Sequence, residues 1–447
     1  IHMRGIGGTS MSGIAEMLKH WGFHVTGSDD NSSELTDKLI ARGIPVTIGY
    51  DFNNLSKASL VVYTAAIKPD DPELLKAKEL NIPTVERADF LGEITRCFTD
   101  TICISGTHGK TTTTSMVTEI LLAADADPTI SVGGILNSIG GNIRIGKSGI
   151  FVTEACEYTN SFLSFMPTMN IILNVKEDHL DFFKDIDDIR HSFKLFTEKL
   201  PDNGTLIINS DIDNYEYFFK DKNCEVITVG SDPKKSMYSA TDISYNETGC
   251  CSYTLLIEEK PSQTITLSVP GLHNVYNSLA AIAAARKLNI PFDAIVKGLK
   301  NFTGTNRRFE KKGTFNGVTV IDDYAHHPDE IKATLTSAAH YPHNQVWCVF
   351  QPHTYSRTKL LLDRFAKALC LADNIVLADI YAAREVDTLG ISSKTLQAEI
   401  EKLGKKCYYF PSFEEIEKFL CENCINGDLL ITMGAGDVYK IGEHLVK

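Results

Sequence analysis

The run GTHGKTTTT, Gly106 to Thr114, constrains this chain most. It follows a short apolar stretch, Thr101 to Ser105, that reads as a buried strand. It precedes a pattern in which Val117, Ile120, Leu121 and Ala124 share one helical face. A glycine turn between strand and helix lets backbone N–H groups approach phosphate oxygens, and the helix N-terminus adds partial positive charge. Gly106, Thr107, His108, Gly109, Lys110, Thr111 and Thr112 are therefore the expected nucleotide contacts. Lys110 serves as a point charge on the β- and γ-phosphates, and the Thr111 hydroxyl joins the shell of Mg²⁺ (or Mn²⁺). Gly106 and Gly109 lie only three positions apart, so this is a shortened form of the usual phosphate loop.

At 447 residues the chain is too long for one ordinary core, and about three domains are expected. The boundaries are placed at residues 1–99, 100–309 and 310–447. A net charge of −13 argues against a nucleic-acid partner, which needs a basic face. No apolar run approaches the length of a membrane span, and the first residues lack the core of a signal peptide. No membrane association is expected. The eleven cysteines include one CxxC, Cys421 and Cys424, with no second pair at metal spacing. Free thiols in a reducing cytoplasm are the expectation.

All three segments alternate strand and helix. In the first, Ile14, Met17, Leu18 and Trp21 mark a buried helical face, with strands at Phe23 to Ser28 and Leu60 to Thr64. In the second, Ile171 to Val175 and Leu206 to Asn209 read as core strands. Tyr253 to Ile257 and Ile265 to Val269 read as an antiparallel pair, and Asn277 to Leu288 as a helix. The third has strands at Val318 to Ile321, Val346 to Phe350, Ile375 to Ala378, Tyr408 to Phe410 and Leu429 to Met433. Pro328 opens a helix there, followed by Asp329 and Glu330. The expected class is α/β: a Rossmann-like first domain, a central phosphate-loop domain and a Rossmann-like C-terminal domain.

Further motifs follow in order: EACEYTNSF (Glu154 to Phe162), NVKEDHLD (Asn174 to Asp181), GLHNVYN (Gly271 to Asn277) and RRFE (Arg307 to Glu310). With the phosphate loop they resemble the Mur ligases and folylpolyglutamate synthetase, enzymes that form amide bonds with ATP. The resemblance spans nearly the whole chain. It implies that Glu157 and His179 serve a metal ion with Thr111, and that Asn277 recognises adenine. An imidazole is a less usual partner for Mg²⁺ than an oxygen. Asn274 offers a further amide to the base, or a helix cap, and Arg308 suits a phosphate clamp. Some relatives carry a carbamylated lysine; Lys194 lies near that position and is not assigned the role.

The first and last segments narrow the resemblance to the alanine-adding branch. GIGGTSMSGIA, Gly5 to Ala15, resembles the UDP-binding start of that branch, with Ser10 where a glycine is usual. Gly7, Gly8 and Ser12 are expected around the diphosphate, with Asp29 on the uridine and Thr64 and Ala65 in a second loop. DDYAHHP (Asp322 to Pro328) and FQPHTYSRT (Phe350 to Thr358) are expected on adjacent strands. By resemblance Asp323 contacts the ATP ribose, and Tyr324, His326 and Arg357 surround the amino acid. His326 is the candidate base because an imidazole titrates near neutrality. Thr354 stands where some relatives have arginine.

The implied partners are UDP-N-acetylmuramate, L-alanine and ATP, in a cytoplasmic monomer or homodimer. Domain closure around an acyl phosphate is expected. Two alternatives remain open at this point: a recycling ligase that attaches a tripeptide to the same sugar nucleotide, and a nucleotide-binding regulator without catalysis. A dehydrogenase reading rests on the first glycine loop alone and leaves Gly106 to Thr114 unexplained.

Overall fold

The computed structural model describes residues 1–180, 182–383 and 385–447; Asp181, the last residue of NVKEDHLD, lies outside the described residues. The chain is α/β and divides into two compact units, one of residues 1–237 with 280–298 and one of residues 238–279 with 299–447.

The first unit contains a five-stranded parallel sheet in the order Val46–Ile48, Thr26–Asp29, His2–Arg4, Val61–Tyr63, Thr84–Glu86. His2–Arg4 sits at its centre, so the glycine loop that follows leaves from the carboxyl edge of the sheet, where α/β folds hold ligands. The helix Thr9–His20 buries Ile14, Met17 and Leu18, but Trp21 is 38% exposed. Trp21 occupies the C-cap, where the helical repeat no longer points it at the core.

The same unit holds the strands Glu225–Val229, Thr205–Asn209, Met169–Ile172, Asp100–Ser105, Ile150–Glu154, Thr129–Leu136 and Gly141–Arg144, side by side in that order. The last pair is antiparallel. Asp100–Ser105 is thus central, flanked by Met169–Ile172 and Ile150–Glu154, and the ends of all three converge on the phosphate loop. The strand expected over Ile171 to Val175 stops at Ile172, because Asn174 turns out of the sheet to bind that loop.

The second unit carries three antiparallel strands, Tyr238–Tyr245, Cys250–Ile257 and Lys260–Pro270, in which Tyr253 faces Ile265. Its six-stranded sheet runs Glu310–Phe315, Val318–Asp323, Leu429–Met433, Val346–Phe350, Asn374–Leu377, Cys407–Tyr409. All neighbours are parallel except the first pair. Both faces are covered: Ile321, Cys348 and Phe350 pack into one core, and Val320, Trp347 and Val349 into the other. That double burial explains why these strands read as unbroken apolar runs. The two motifs expected on adjacent strands are separated by Leu429–Met433, since a doubly wound sheet need not follow chain order.

Candidate active site

The phosphate loop takes its shape from two glycines. Gly106 has φ +136° and Gly109 φ +88°, values that side chains resist. A Cβ on Gly106 would lie 3.0 Å from Cβ of Leu173 and 3.2 Å from the backbone of Asn174. The helix Lys110–Ala123 begins directly after Gly109, with no side-chain cap. Its first N–H groups, on Lys110, Thr111 and Thr112, have no acceptor within the helix and form an anion site.

Asn174 clamps this loop from the neighbouring strand end. Its Oδ1 accepts the His108 N–H at 2.9 Å and its Nδ2 donates to the His108 carbonyl at 2.9 Å. Thr107 is held as well, its hydroxyl accepting the Lys176 N–H at 2.9 Å. Nothing in the chain's periodicity points to Asn174; the signal available was its place at the start of the NVKEDHLD motif.

Lys110 folds across the loop. Its Nζ donates to the Gly106 carbonyl at 2.6 Å and to Oε2 of Glu157 at 2.9 Å. Burial would lower the ammonium, but the Glu157 carboxylate outweighs it and the group is held above its usual value. Lys110 is therefore fully cationic where phosphate charge would lie. Thr111 points elsewhere: its hydroxyl donates to Oε2 of Glu154 at 3.1 Å. Glu154 ends its strand and also accepts the Gly133 N–H through Oε1. Thus Glu154, to which the sequence reading assigned no role, stands beside Thr111, and the expected Glu157 stands beside Lys110. The His179 ring lies 4.6 Å from that of Tyr158, the residue after Glu157, and its backbone φ is +52°.

At the first glycine loop, the Gly7 N–H donates to Oδ2 of Asp29 at 2.8 Å. Asp29 therefore shapes the turn. Gly8 is the N-cap of Thr9–His20 without a side-chain cap, leaving the first-turn N–H groups of Thr9 and Ser10 without an acceptor inside the helix. Ser12 is buried inside that helix, its hydroxyl on the Thr9 carbonyl at 3.0 Å. Thr64 and Ala65 follow the strand Val61–Tyr63, and the Thr64 N–H meets the Arg4 carbonyl at 3.4 Å. Behind the loop, the buried Arg4 guanidinium holds Asp71 at 3.0 Å and Asp30 at 2.7 Å.

In the second unit, Asn274 Nδ2 donates to the Pro270 carbonyl at 2.7 Å, and Asn277 Nδ2 donates to Oδ1 of Asn274 at 3.0 Å. A capping side chain would instead accept from a backbone N–H, so the two amides interlock rather than cap. Arg307 is consumed by the fold: it holds Asp322 at 2.9 Å and the carbonyls of Gly434 and Gly436. Arg308 lies 3.6 Å from Glu330, with its guanidinium 5.4 Å from the Tyr324 ring. Asp323 accepts the N–H groups of Phe309 and Ala325 at 2.9 and 2.8 Å. Burial pushes its carboxyl up to about 6, against the pull of Arg308 and these bonds.

His326 and Arg357 come together around a residue the sequence reading did not select, His353. Nδ1 of His326 lies 3.0 Å from the Tyr324 carbonyl and 3.4 Å from a Glu330 carboxylate oxygen. Both are acceptors, which favours a proton on Nδ1. The His326 ring centroid is 5.4 Å from Tyr324 and 5.9 Å from His353. Arg357 Nη1 meets His353 Nδ1 at 3.4 Å, and Tyr381 stacks on His353 at 5.6 Å. Burial first, then His326 and Arg357, pushes the His353 imidazole down to about 4. It is a neutral acceptor for Arg357. Thr354, between them, has φ +68°, and its N–H is held by the Tyr381 carbonyl at 2.9 Å.

A strand–phosphate loop–helix unit with carboxylates on its lysine and threonine, in a chain of α/β sheets, has the architecture of a nucleotide-binding protein. Residues 1–99 match the Mur ligase family catalytic domain, 104–285 the Mur ligase middle domain and 307–436 the Mur ligase glutamate ligase domain. The chain is 70% identical to a UDP-N-acetylmuramate–L-alanine ligase of Lachnospira eligens, over all of this chain and 98% of that one. It is 55% identical to the ligase of the same name from Agathobacter rectalis, over all of this chain and 97% of that one. Among solved structures, the UDP-N-acetylmuramate–alanine ligase of Thermotoga maritima superposes with a TM-score of 0.83 at 29% identity, covering 100% of this chain and 97% of that one. A murein peptide ligase of Psychrobacter arcticus gives 0.72 at 26%, covering 99% and 97%. The chain belongs to the Mur ligase family and is a ligase.

Proposed function

We propose that this ligase joins the amino group of L-alanine to the lactyl carboxylate of UDP-N-acetylmuramate at the expense of ATP, in peptidoglycan precursor synthesis. The full-length likeness to ligases named for that reaction carries the reading. The site chemistry agrees with it. The phosphate loop, with Lys110 and the N–H groups of Lys110, Thr111 and Thr112, receives the triphosphate. Thr111 and Glu154 supply two oxygen donors side by side, the donor type a hard divalent cation prefers. Mg²⁺ or Mn²⁺ held there would offset phosphate charge; by resemblance Glu157 and His179 extend the set.

The lactyl carboxylate oxygen attacks the γ-phosphorus, the bond to the β-bridging oxygen breaks, and ADP leaves an acyl phosphate. Lys110 and the loop N–H groups stabilise the charge spread over the transferred group. Arg357, oriented by His353, holds the alanine carboxylate, and Nε2 of His326 accepts a proton from its ammonium. The free amine attacks the acyl carbon and inorganic phosphate departs. Asn277, Arg308 and Asp323 serve ATP, and Gly7, Gly8, Asp29 and Thr64 the UDP moiety. Among the described residues, no helix is long and apolar enough to cross a membrane. We place the enzyme in the cytoplasm, where its nucleotide substrates are.

Phosphate release with ATP, Mg²⁺ and UDP-N-acetylmuramate tests this, with L-alanine or tripeptide added in parallel. Release with alanine alone, and a product heavier by one alanyl unit, is the expected result. Release with tripeptide alone would assign the chain to the recycling branch. For the base, His326→Asn is expected to keep ATP binding and slow amide formation strongly; unchanged turnover at saturating alanine would sink that role.

A further inference from the structure

A cavity of about 210 Å³ opens in the first unit between the first glycine loop and the phosphate-loop sheet. Thr9, Ser10, Arg87, Asn142, Glu154 and Cys156 are among the residues that line it. Arg87 is the first residue of the helix Arg87–Thr95 and is half-buried. Among the described residues its one side-chain partner is the Ser10 hydroxyl, which faces Nη1 at 3.3 Å. No described carboxylate lies within ion-pair distance of it.

Arg190 and Arg286 are also half-buried without an ion-pair partner among the described residues, but their guanidiniums donate to backbone carbonyls, whereas Arg87 lines the cavity. Arg4, Arg144 and Arg307 are partly or fully buried and each holds a carboxylate. A half-buried guanidinium that faces a cavity and lacks an acid is suited to an anionic ligand, and its planar fork matches phosphate oxygens. Ser10 explains why it points there. At the position where the related glycine pattern has no side chain, this chain supplies a hydroxyl that docks the guanidinium next to the uncapped first turn of Thr9–His20.

We propose that Arg87 binds the diphosphate of the nucleotide sugar and that Ser10 positions it for that contact. The inference rests on UDP-N-acetylmuramate being a substrate. Arg87→Met is expected to raise both the KM for UDP-N-acetylmuramate and the Kd for UDP about tenfold to a hundredfold. It leaves kcat and the KM for ATP and alanine within about threefold, and leaves uridine binding unchanged, since uridine has no phosphate to lose. Arg87→Lys restores part of the affinity, since the charge returns without the fork. Ser10→Gly raises the same two constants by a smaller factor, because the cation remains but loses its dock. Unchanged UDP affinity in Arg87→Met overturns the assignment, and so do equal losses for UDP and uridine, which would mark general damage to the domain. If wild-type enzyme turns over while Arg87→Met keeps its KM, only this assignment fails; if wild type releases no phosphate with nucleotide sugar and alanine, the underlying reading fails instead.

Discussion

The Thr111 hydroxyl donates to Oε2 of Glu154 at 3.1 Å, tying the first turn after the phosphate loop to the end of the strand Ile150–Glu154. Three residues later in the chain, Glu157 turns instead to Lys110. Two carboxylates in one motif thus meet different partners. Glu154→Gln is expected to lower kcat by about a hundredfold and to raise the Mg²⁺ concentration needed for half-activity. Glu157→Gln removes the charge that holds Lys110 and is expected to raise that Mg²⁺ concentration by a smaller factor, since its carboxylate is engaged by the lysine. Mg²⁺ titrations of phosphate release in both variants check this, and the reverse order would return the metal to Glu157.

Asn174 fixes the phosphate loop through both backbone groups of His108. Two hydrogen bonds contribute about 1 kcal/mol each, so Asn174→Ala is expected to raise the KM for ATP about tenfold or more. Asn174→Asp keeps the acceptor for the His108 N–H and is expected to fall between. An unchanged KM for ATP in the alanine variant would mean that the loop holds its shape without the clamp.

Lys194 pairs with Asp221 at 2.8 Å, and that bond holds its ammonium above the usual value. Carbamylation needs the neutral amine, so this lysine is expected to remain unmodified. Lys194→Ala should retain turnover within about threefold, with no gain from added short carboxylic acids. A large loss that formate or acetate restores would show that the lysine carries a carboxylate after all.

The depressed His353 imidazole makes stability depend on pH. Its folded value of about 4 lies below the usual 6.5, so the unfolded chain takes up a proton first as pH falls. The stabilisation is complete above the unfolded value and is lost as pH drops towards 4. Between pH 8 and 5 the contribution is about 2 kcal/mol at most. Urea unfolding at both pH values is expected to show a smaller pH effect in His353→Asn than in wild type; equal slopes would place the titration elsewhere.

Much of the site was legible because local chemistry spelled it out. Glycines with positive φ, a lysine and a threonine at a strand-to-helix turn admit few other structures, and Gly106 to Thr114 folds as read. The apolar runs of the last segment were equally plain, with Val346–Phe350 and Leu429–Met433 matching to the residue. Less was legible where neighbours in sequence diverge in space. Arg307 and Arg308 are indistinguishable in RRFE, yet one is spent on Asp322 and two carbonyls while the other faces Tyr324 and Glu330. Strand order was likewise hidden, and Leu429–Met433 entered between the two strands that lead into His326 and His353.

By itself the amino-acid sequence determined the α/β alternation, the phosphate loop and the order of motifs that marks the family, since each depends on residues within a few positions of one another. Tertiary structure alone decided which carboxylate meets Thr111, that Asn174 grips His108, that His353 orients Arg357, and that Ser10 reaches Arg87 across 77 positions of chain. Those pairings depend on how strands are ordered and loops converge at a sheet edge, and a hydrogen bond between distant residues leaves no periodic trace in the chain that makes it.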